Sequence, residues 1–344
     1  MQQPRDRRAE ILRRILDAIP PASGAAVMGT GIVSIALSLD VSETLSRVLL
    51  ALAAAMWVAL GVLLVGRAAR DRPRLHREAQ SPAALTGVAG TAVLGVRLTL
   101  LGWDWAGVAL LMIALAFWAA LLTPVLTHWS TPTVGVSLVL TVSTESLAVL
   151  AATLAVTEHA RWLLDAALAP FLLGLAFYAF VIARFDLRQL TVGTGDHWIT
   201  GGALAISTLA AGRIAVAAQH TGALPDELGA LKAIALVLWC LTMVWLPVLL
   251  VAEVLRPRLR YDVRRWSTVF PFGMYAACSF IVGTAAHAPA ITSFARVWVW
   301  VAVAVWLIVF AAMLRRGPQI ARGQHPSIGP DRIGEIAPSR RNAA

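Results

Sequence analysis

The sequence predicts an all-helical polytopic membrane protein, and three observations support this fold class. Of the 344 residues, 58% are hydrophobic and 14% are charged, with a mean hydropathy of +0.73, which excludes an ordinary soluble protein. Ten apolar windows have about the 20 residues needed to cross a hydrocarbon core of roughly 30 Å. These windows are continuous, whereas strands of a membrane barrel alternate in hydropathy. In chain order the predicted spans are 21–39, 48–66, 82–101, 105–127, 132–156, 166–183, 198–219, 233–252, 266–286 and 297–314.

The regions flanking these spans divide the chain into three parts. Residues 1–20 form a basic, amphipathic segment expected at the cytoplasmic surface, and residues 21–314 form the ten-helix domain. Residues 315–344 are rich in Pro, Gly, Arg and Ser, and we expect a disordered basic cytoplasmic tail.

Positive charge is distributed unevenly between the two sides of the predicted membrane. With a cytoplasmic N-terminus, 23 of the 29 Lys and Arg residues fall on the cytoplasmic side and four fall outside. The positive-inside rule therefore predicts a multi-pass protein of the plasma (inner) membrane with both termini in the cytoplasm. The net charge of +10 then suits an anionic inner leaflet and requires no nucleic-acid partner.

Cysteine and histidine usage argues against an enzyme. Cys240 and Cys278 both lie inside predicted spans, and all seven histidines lie at span ends or in loops. A haem or intramembrane metal enzyme needs ligands at depth. We therefore expect no catalytic residues, no metal site and no cofactor.

Glycine and tryptophan divide the spans into two populations. Odd-numbered spans contain twelve glycines and even-numbered spans four, whereas eight tryptophans lie in even spans and two, Trp198 and Trp266, open odd spans. Small residues allow close helix packing or leave room for a conduit, and bulky aromatic residues suit the lipid interface. Odd helices are therefore expected inside, either around a conduit or simply as a tightly packed interior.

Three ionisable residues, Arg97, Glu145 and Arg213, lie within predicted spans, all of them odd. A charge at depth is costly and usually faces a cavity or a partner. Arg97 and Arg213 fall toward the outer half and are candidates for attracting an anion. Glu145, near the middle of its span, is a candidate ion-pair partner for one of them or a proton site.

Three segments carry a family resemblance: PASGAAVMGTGIV at 21–33, HWITGGALAIS at 197–207 and WSTVFPFGMY at 266–275. Together with the number and order of spans over about residues 15–315, they resemble the tellurite-resistance/dicarboxylate transporter family. That family includes bacterial TehA, fungal malate permeases, fungal sulfite efflux pumps and plant slow-type anion channels.

The resemblance implies five helical hairpins around a central pore, with odd helices lining it, even helices outside, and a homotrimeric assembly. It also implies that a phenylalanine on the ninth helix closes the pore, a role that falls on Phe270 beside Pro271. Hydropathy places Phe270 only about five residues into its span, so either the ninth helix begins earlier or Phe272 shares the role. The glycines expected at pore-lining or close-approach positions are Gly29, Gly31, Gly201, Gly202 and Gly273.

The leading functional hypothesis is therefore a channel-type transporter of small anions, such as malate or another C4-dicarboxylate, tellurite, sulfite or inorganic anions, with a phenylalanine gate. The alternative is a proton-coupled dicarboxylate carrier that uses Glu145. A membrane enzyme or sensor that does not transport is the less favoured third hypothesis.

Overall fold

The computed structural model describes residues 20–129, 133–192, 195–257 and 262–321, with side chains described as far as residue 315. All but the last residue of the predicted N-terminal segment and most of the predicted tail lie outside these ranges. Within them the chain is helical and forms no strand, apart from an isolated parallel bridge between Thr133 and Phe185. The all-helical class and the ten candidate spans predicted from hydropathy are confirmed.

The ten long helices are α1 (Gly24–Ser38), α2 (Glu43–Arg70), α3 (Thr86–Thr99), α4 (Asp104–Thr127), α5 (Val139–Thr157), α6 (Arg161–Ile182), α7 (Ile199–Thr221), α8 (Leu228–Leu255), α9 (Trp266–Ala285) and α10 (Pro289–Ala321). Short helices Arg72–Ala79 and Gln189–Val192 lie in two of the connections. Helix α10 extends to Ala321, so the first seven residues of the predicted disordered tail are helical instead. Hydropathy ends the span at residue 314 because polar residues follow, but polar residues can continue a helix beyond the membrane.

Odd and even helices differ in their first turns. Each odd helix is preceded by a 3-10 turn, which satisfies backbone groups at a helix start. These turns are Pro21–Ser23, Pro82–Leu85, Gly135–Leu138, Asp196–Trp198 and Val263–Arg265. Neighbouring turns contact one another, so all five odd helices begin at the same end of the bundle. Among the even helices, α2 has a side-chain cap, in which Ser42 accepts a hydrogen bond from the backbone N–H of Leu45.

Burial alternates with helix order. The odd spans are 72–94% buried within the protein, whereas the even spans are 17–22% buried. Contacts run from α1 to α3, α5, α7 and α9, and α9 packs against α1, so the five odd helices form a closed ring. Each even helix also packs on the odd helix that precedes it, as in a hairpin. We call the odd helices the inner ring and the even helices the outer helices.

Each outer helix also sends an aromatic donor to the next inner helix. Four indole N–H groups donate to hydroxyls: Trp57 to Thr91 (2.9 Å), Trp118 to Thr144 (2.9 Å), Trp239 to Ser279 (2.8 Å) and Trp306 to Thr30 (3.0 Å). On α6 the corresponding donor is the hydroxyl of Tyr178, at 3.4 Å from the carbonyl oxygen of Thr200. Tryptophan is thus concentrated on outer helices partly because its apolar ring suits the periphery while its N–H reaches an inner hydroxyl.

Candidate functional site

Helix α9 can be oriented within the ring from the contacts of two residues. Val269 packs on Gly29 of α1, where an added Cβ would lie 3.2 Å from a Val269 methyl. Pro271 packs on Gly202 of α7, where such a Cβ would lie 2.7 Å from Cγ of the proline. These two residues therefore face the neighbours of α9 on either side of the ring.

Phe272 faces away from the ring. Its side chain stacks on Trp298 of α10, with ring centroids 5.4 Å apart and planes 9° apart, and lies 4.6 Å from the ring of Trp198. Phe294 also stacks on Trp298, with ring centroids 5.5 Å apart. Phe272 is therefore part of an aromatic cluster with an outer helix.

Phe270 occupies the remaining side of α9. Successive residues differ by about 100° around a helix, so Phe270 lies about 100° from both Val269 and Pro271 and about 160° from Phe272. Its side chain is fully buried. With α1 and α7 on its flanks and α10 behind, Phe270 projects toward the interior of the ring. The turn Val263–Arg265 also starts the ninth span three residues earlier than hydropathy predicts.

The remaining predicted glycines lie at close helix contacts of two kinds. A Cβ on Gly31 would lie 2.7 Å from a Val93 methyl on α3, and one on Gly273 would lie 2.7 Å from a methyl of Ile32 on α1. Both contacts join neighbours in the inner ring. Gly201 instead lies against the Tyr275 hydroxyl and Leu249, so it faces α8 and α9 rather than the interior.

Arg97 is paired with an outer helix. Its side chain is 1% exposed, and its Nη2 donates to both carboxylate oxygens of Glu43 at 2.7 Å. Its Nε donates to the Ser46 hydroxyl at 2.8 Å, and Ser46 in turn bonds the carbonyl oxygen of Ser34. This network joins α1, α2 and α3 and compensates the Arg97 charge. Arg97 also lies only two residues before the end of α3.

Glu145 lies between α5, α6 and α7. Its Oε1 accepts a hydrogen bond from the Ser207 hydroxyl at 2.9 Å, and its carboxyl group packs against Gly174 of α6. Its Oε2 is buried without a hydrogen-bond partner among the described residues. Of the two roles considered for Glu145, the ion pair with Arg97 or Arg213 is not formed within the described chain, because the carboxylate faces the junction of α6 and α7.

Arg213 is buried, and two of its guanidinium nitrogens have no hydrogen-bond partner in the described part of the chain. The residue is 7% exposed, and the two nitrogens are Nε and Nη2. Thr208 of α7 bonds Thr242 of outer helix α8, and Arg213 lies about 140° from Thr208 around the α7 axis. Ser207 bonds Glu145 of α5, and Arg213 lies about 120° from Ser207. Its side chain therefore projects from the half of α7 that faces α9 and the ring interior.

Sequence reasoning missed the partner of Arg97. Hydropathy leaves Glu43 in a loop, five residues before the predicted second span. A signal is nevertheless present: Ser42 followed by Glu43 is typical of a helix start, where a cap precedes an acidic first turn. Extending the second span to Glu43 would place a carboxylate at the membrane edge near the end of α3.

A cavity of about 700 Å³ lies outside the inner ring. It is lined mainly by apolar side chains of α4, α5 and α6, including Trp118, Leu147 and Pro170. Because it opens between two outer helices, it is separate from the interior toward which Phe270 and Arg213 project.

These features define a polytopic helical membrane protein with a closed ring of five inner helices. Phe270 and Arg213 project toward the interior of the ring, and Arg213 forms no ion pair among the described residues. The chain belongs to the voltage-dependent anion channel family, whose model, SLAC1, matches residues 18–314. The family expected from the sequence resemblance is thus confirmed.

Two curated relatives match at the same level. They are the uncharacterized membrane proteins MT1776 and Rv1735c of Mycobacterium tuberculosis strains CDC 1551 / Oshkosh and ATCC 25618 / H37Rv. Each is 36% identical to this chain over 149 residues, which cover 41% of this chain and 75% of the relative. The chain is therefore similar to membrane proteins by direct comparison as well.

Proposed function

We propose that the protein conducts small anions along the interior of the inner ring, and that Phe270 gates this path. The observation that carries the proposal is the position of Phe270: fully buried, on the side of α9 opposite the aromatic cluster of Phe272, in a chain of the anion channel family. An aromatic ring at a narrow apolar constriction excludes water and ions until it moves.

Pro271 gives α9 a means of holding this ring in place. A proline within a helix removes a backbone donor and favours a kink. Its packing on Gly202 holds this turn against α7, and Gly29 allows Val269 to approach α1 closely. Phe270 is therefore held between two close helix contacts.

The charges on the inner helices favour an anion over a cation. The described inner helices carry two arginines and one glutamate within their spans. Arg97 is compensated by Glu43 and Glu145 faces α6 and α7, which leaves Arg213 as the charge toward the interior. A positive potential in a low-dielectric path attracts anions without requiring a tight site.

The substrates proposed for this path are C4-dicarboxylates such as malate, sulfite, tellurite and inorganic anions, with the protein in the plasma membrane as a homotrimer. A flux panel in proteoliposomes, comparing malate, sulfite, tellurite, nitrate and chloride against protein-free liposomes, tests the proposal. Flux of at least one anion above the protein-free control supports it. Equal flux with and without protein for all five anions, also after Phe270→Ala, contradicts it.

The second candidate function is a proton-coupled carrier that uses Glu145. The buried Oε2 without a partner among the described residues favours it, because such an oxygen suits a protonated carboxyl. The orientation of Glu145 away from the interior counts against it, since a coupling site needs access to the transport path. Uptake that depends on an imposed pH gradient distinguishes the carrier from the channel.

A further inference from the structure

Glu253, in the last turn of α8, binds the starts of two inner helices with one carboxylate. Its Oε2 accepts a hydrogen bond from the indole N–H of Trp198 at 3.1 Å, and its Oε1 accepts one from Nη1 of Arg265 at 2.9 Å. Trp198 ends the 3-10 turn before α7, and Arg265 ends the 3-10 turn before α9. We call these two bonds the Glu253 link. The link joins the starts of the two helices that meet at the contact between Gly202 and Pro271.

The Glu253 link is partly shielded from solvent. The side chains of Arg265 and Glu253 are 14% and 27% exposed, and Nε2 of buried His197 lies 3.8 Å from the same carboxylate. By contrast, Arg264 pairs with Asp262 through side chains that are nearly half exposed. Hydrogen bonds between charged groups are stronger than neutral ones, and shielded pairs are less screened by salt than exposed pairs. The Glu253 link is therefore expected to contribute more than the neighbouring surface pair.

The link reaches α9 on both sides of Phe270. Arg265 directly precedes the helix and lies about 7.5 Å before Phe270 along the axis. The ring of Trp198 lies 4.6 Å from the ring of Phe272, so the second bond acts on α9 through the aromatic cluster. A displacement of the Glu253 carboxylate would therefore act on the segment that carries Phe270 from both of its ends.

Helix α8 contains a point at which its last two turns can move. Pro247 lies inside the helix, where a proline removes one backbone hydrogen bond and favours bending. Before the proline, the Thr242 hydroxyl bonds Thr208 of α7, and the Thr242 carbonyl accepts from the hydroxyl of Tyr275 on α9. After it, Glu253 binds the starts of the same two helices. The part of α8 that carries Glu253 is thus separated by the proline from the part anchored at Thr242.

We propose that Glu253 is a positioning residue for the gate, and that its bonds to Trp198 and Arg265 hold Phe270 in the closed position. The arrangement with the Phe270 ring fully buried is the closed one. A contact that is present in the closed state and lost in the open state favours the closed state, so removing it shifts the population toward the open state. The proposal concerns the regulation of the proposed anion path and so rests on that function. Movement at the start of α9, however, can be measured without any flux.

The test records anion current through planar bilayers for full-length Glu253→Gln and Arg265→Gln beside the wild type. We expect each variant to raise the current by about threefold to tenfold, because each breaks the link. The two substitutions change the local charge in opposite directions, so an effect on anion attraction alone would raise one current and lower the other. The matched control is Arg264→Gln, which removes the same charge as Arg265→Gln but pairs with Asp262, and it should not raise the current.

Two further measurements distinguish positioning of the gate from a general loss of structure. In a Phe270→Ala background, Glu253→Gln should change the current by less than about twofold, because the side chain that it positions has been removed. Amide hydrogen exchange of residues 263–275 in purified protein in detergent should be about tenfold faster in Glu253→Gln and Arg265→Gln than in the wild type. In Arg264→Gln the exchange of this segment should be unchanged.

Three results overturn the proposal: unchanged current in both Glu253→Gln and Arg265→Gln, opposite changes in the two, and a full Glu253→Gln increase that persists with Phe270→Ala. If Glu253→Gln does not fold, Arg265→Gln and the charge-neutral Trp198→Phe, which removes the other donor, carry the same test.

Failure of the link is distinguishable from failure of the proposed function. Faster exchange at the start of α9 without current in any variant, Phe270→Ala included, supports the role of Glu253 in holding α9 and contradicts the channel. A current that Phe270→Ala raises but that neither Glu253→Gln nor Arg265→Gln raises supports the channel and contradicts the positioning role.

Discussion

The indole N–H of Trp306 on α10 donates to the hydroxyl of Thr30 on α1 at 3.0 Å, which joins the last helix of the bundle to the first. The same kind of bond connects α2 to α3, α4 to α5 and α8 to α9, and Tyr178 of α6 bonds a carbonyl of α7. The ring is thus closed twice, by contacts between inner helices and by outer aromatic side chains that each reach the next inner helix.

We expect this closing bond to contribute measurably to stability. Trp306→Phe should lower the free energy of unfolding by about 1–3 kcal/mol, because the phenyl ring cannot donate and is smaller than the buried indole that it replaces. A double-mutant cycle with Thr30→Val in mixed micelles should give a coupling of about 0.6 kcal/mol. Trp300→Phe, at an exposed position of the same helix, is the control and should change little. A coupling of zero would show that the bond contributes nothing.

The contact between Gly202 and Pro271 predicts a strict limit on side-chain size. Gly202→Ala would place a methyl 2.7 Å from Cγ of the proline, so α7 and α9 must separate or the proline must shift. We expect a loss of about 1–3 kcal/mol in unfolding free energy. Gly87→Ala is the control, since nothing lies within 4 Å of the added methyl. Equal stability of the two variants would mean that the contact is easily relaxed.

Arg97 is predicted to have a structural role. Glu43→Gln removes the charge that compensates an arginine side chain only 1% exposed, and because the Glu43 side chain is itself 44% exposed, we expect a loss of about 1–2 kcal/mol in unfolding free energy. Arg47 also bonds Glu43, but it is exposed, so Arg47→Gln should cost less than about 1 kcal/mol. Thermal or denaturant unfolding of both variants measures the difference. Similar small losses in both would instead leave Arg97 available to anions.

Glu145→Gln separates the channel from the proton-coupled carrier. The glutamine oxygen can still accept the bond from Ser207, so the fold should be retained. For a channel, uptake of labelled malate or nitrate into proteoliposomes should be the same in wild type and variant. It should also be unaffected by an imposed pH gradient at fixed membrane potential. Gradient-driven accumulation that is lost in Glu145→Gln would establish the carrier.

The number of spans could be predicted from the sequence, because length and hydropathy are properties of each span alone. The family could be predicted because three short segments and the order of the spans carry the resemblance. The burial of odd helices also follows from their glycines, since contacts such as Gly31 with Val93 and Gly273 with Ile32 leave no room for larger residues. These signals are local or depend only on side-chain size.

The hydrogen-bond and ion-pair partners of the charged side chains could not be predicted, because they depend on which helices face each other. Arg97 pairs with Glu43, 54 residues away, and Glu145 with Ser207, 62 residues away. Hydropathy also leaves Phe270 and Phe272 as alternatives. The contacts of Val269 with α1, Pro271 with α7 and Phe272 with Trp298 of α10 together distinguish the residue in the aromatic cluster from the one toward the interior.

The proposed gate is tested most directly by anion current through planar bilayers for Phe270→Ala and Phe272→Ala, recorded beside the wild type. We expect Phe270→Ala to raise the current by about tenfold or more, because removing the ring lowers the barrier in the interior by at least about 1.4 kcal/mol. Phe272→Ala should leave the current near the wild-type level and reduce thermal stability, because it opens the cluster with Trp298. An unchanged current in a folded Phe270→Ala variant, or a larger increase in Phe272→Ala, would contradict the proposed gate.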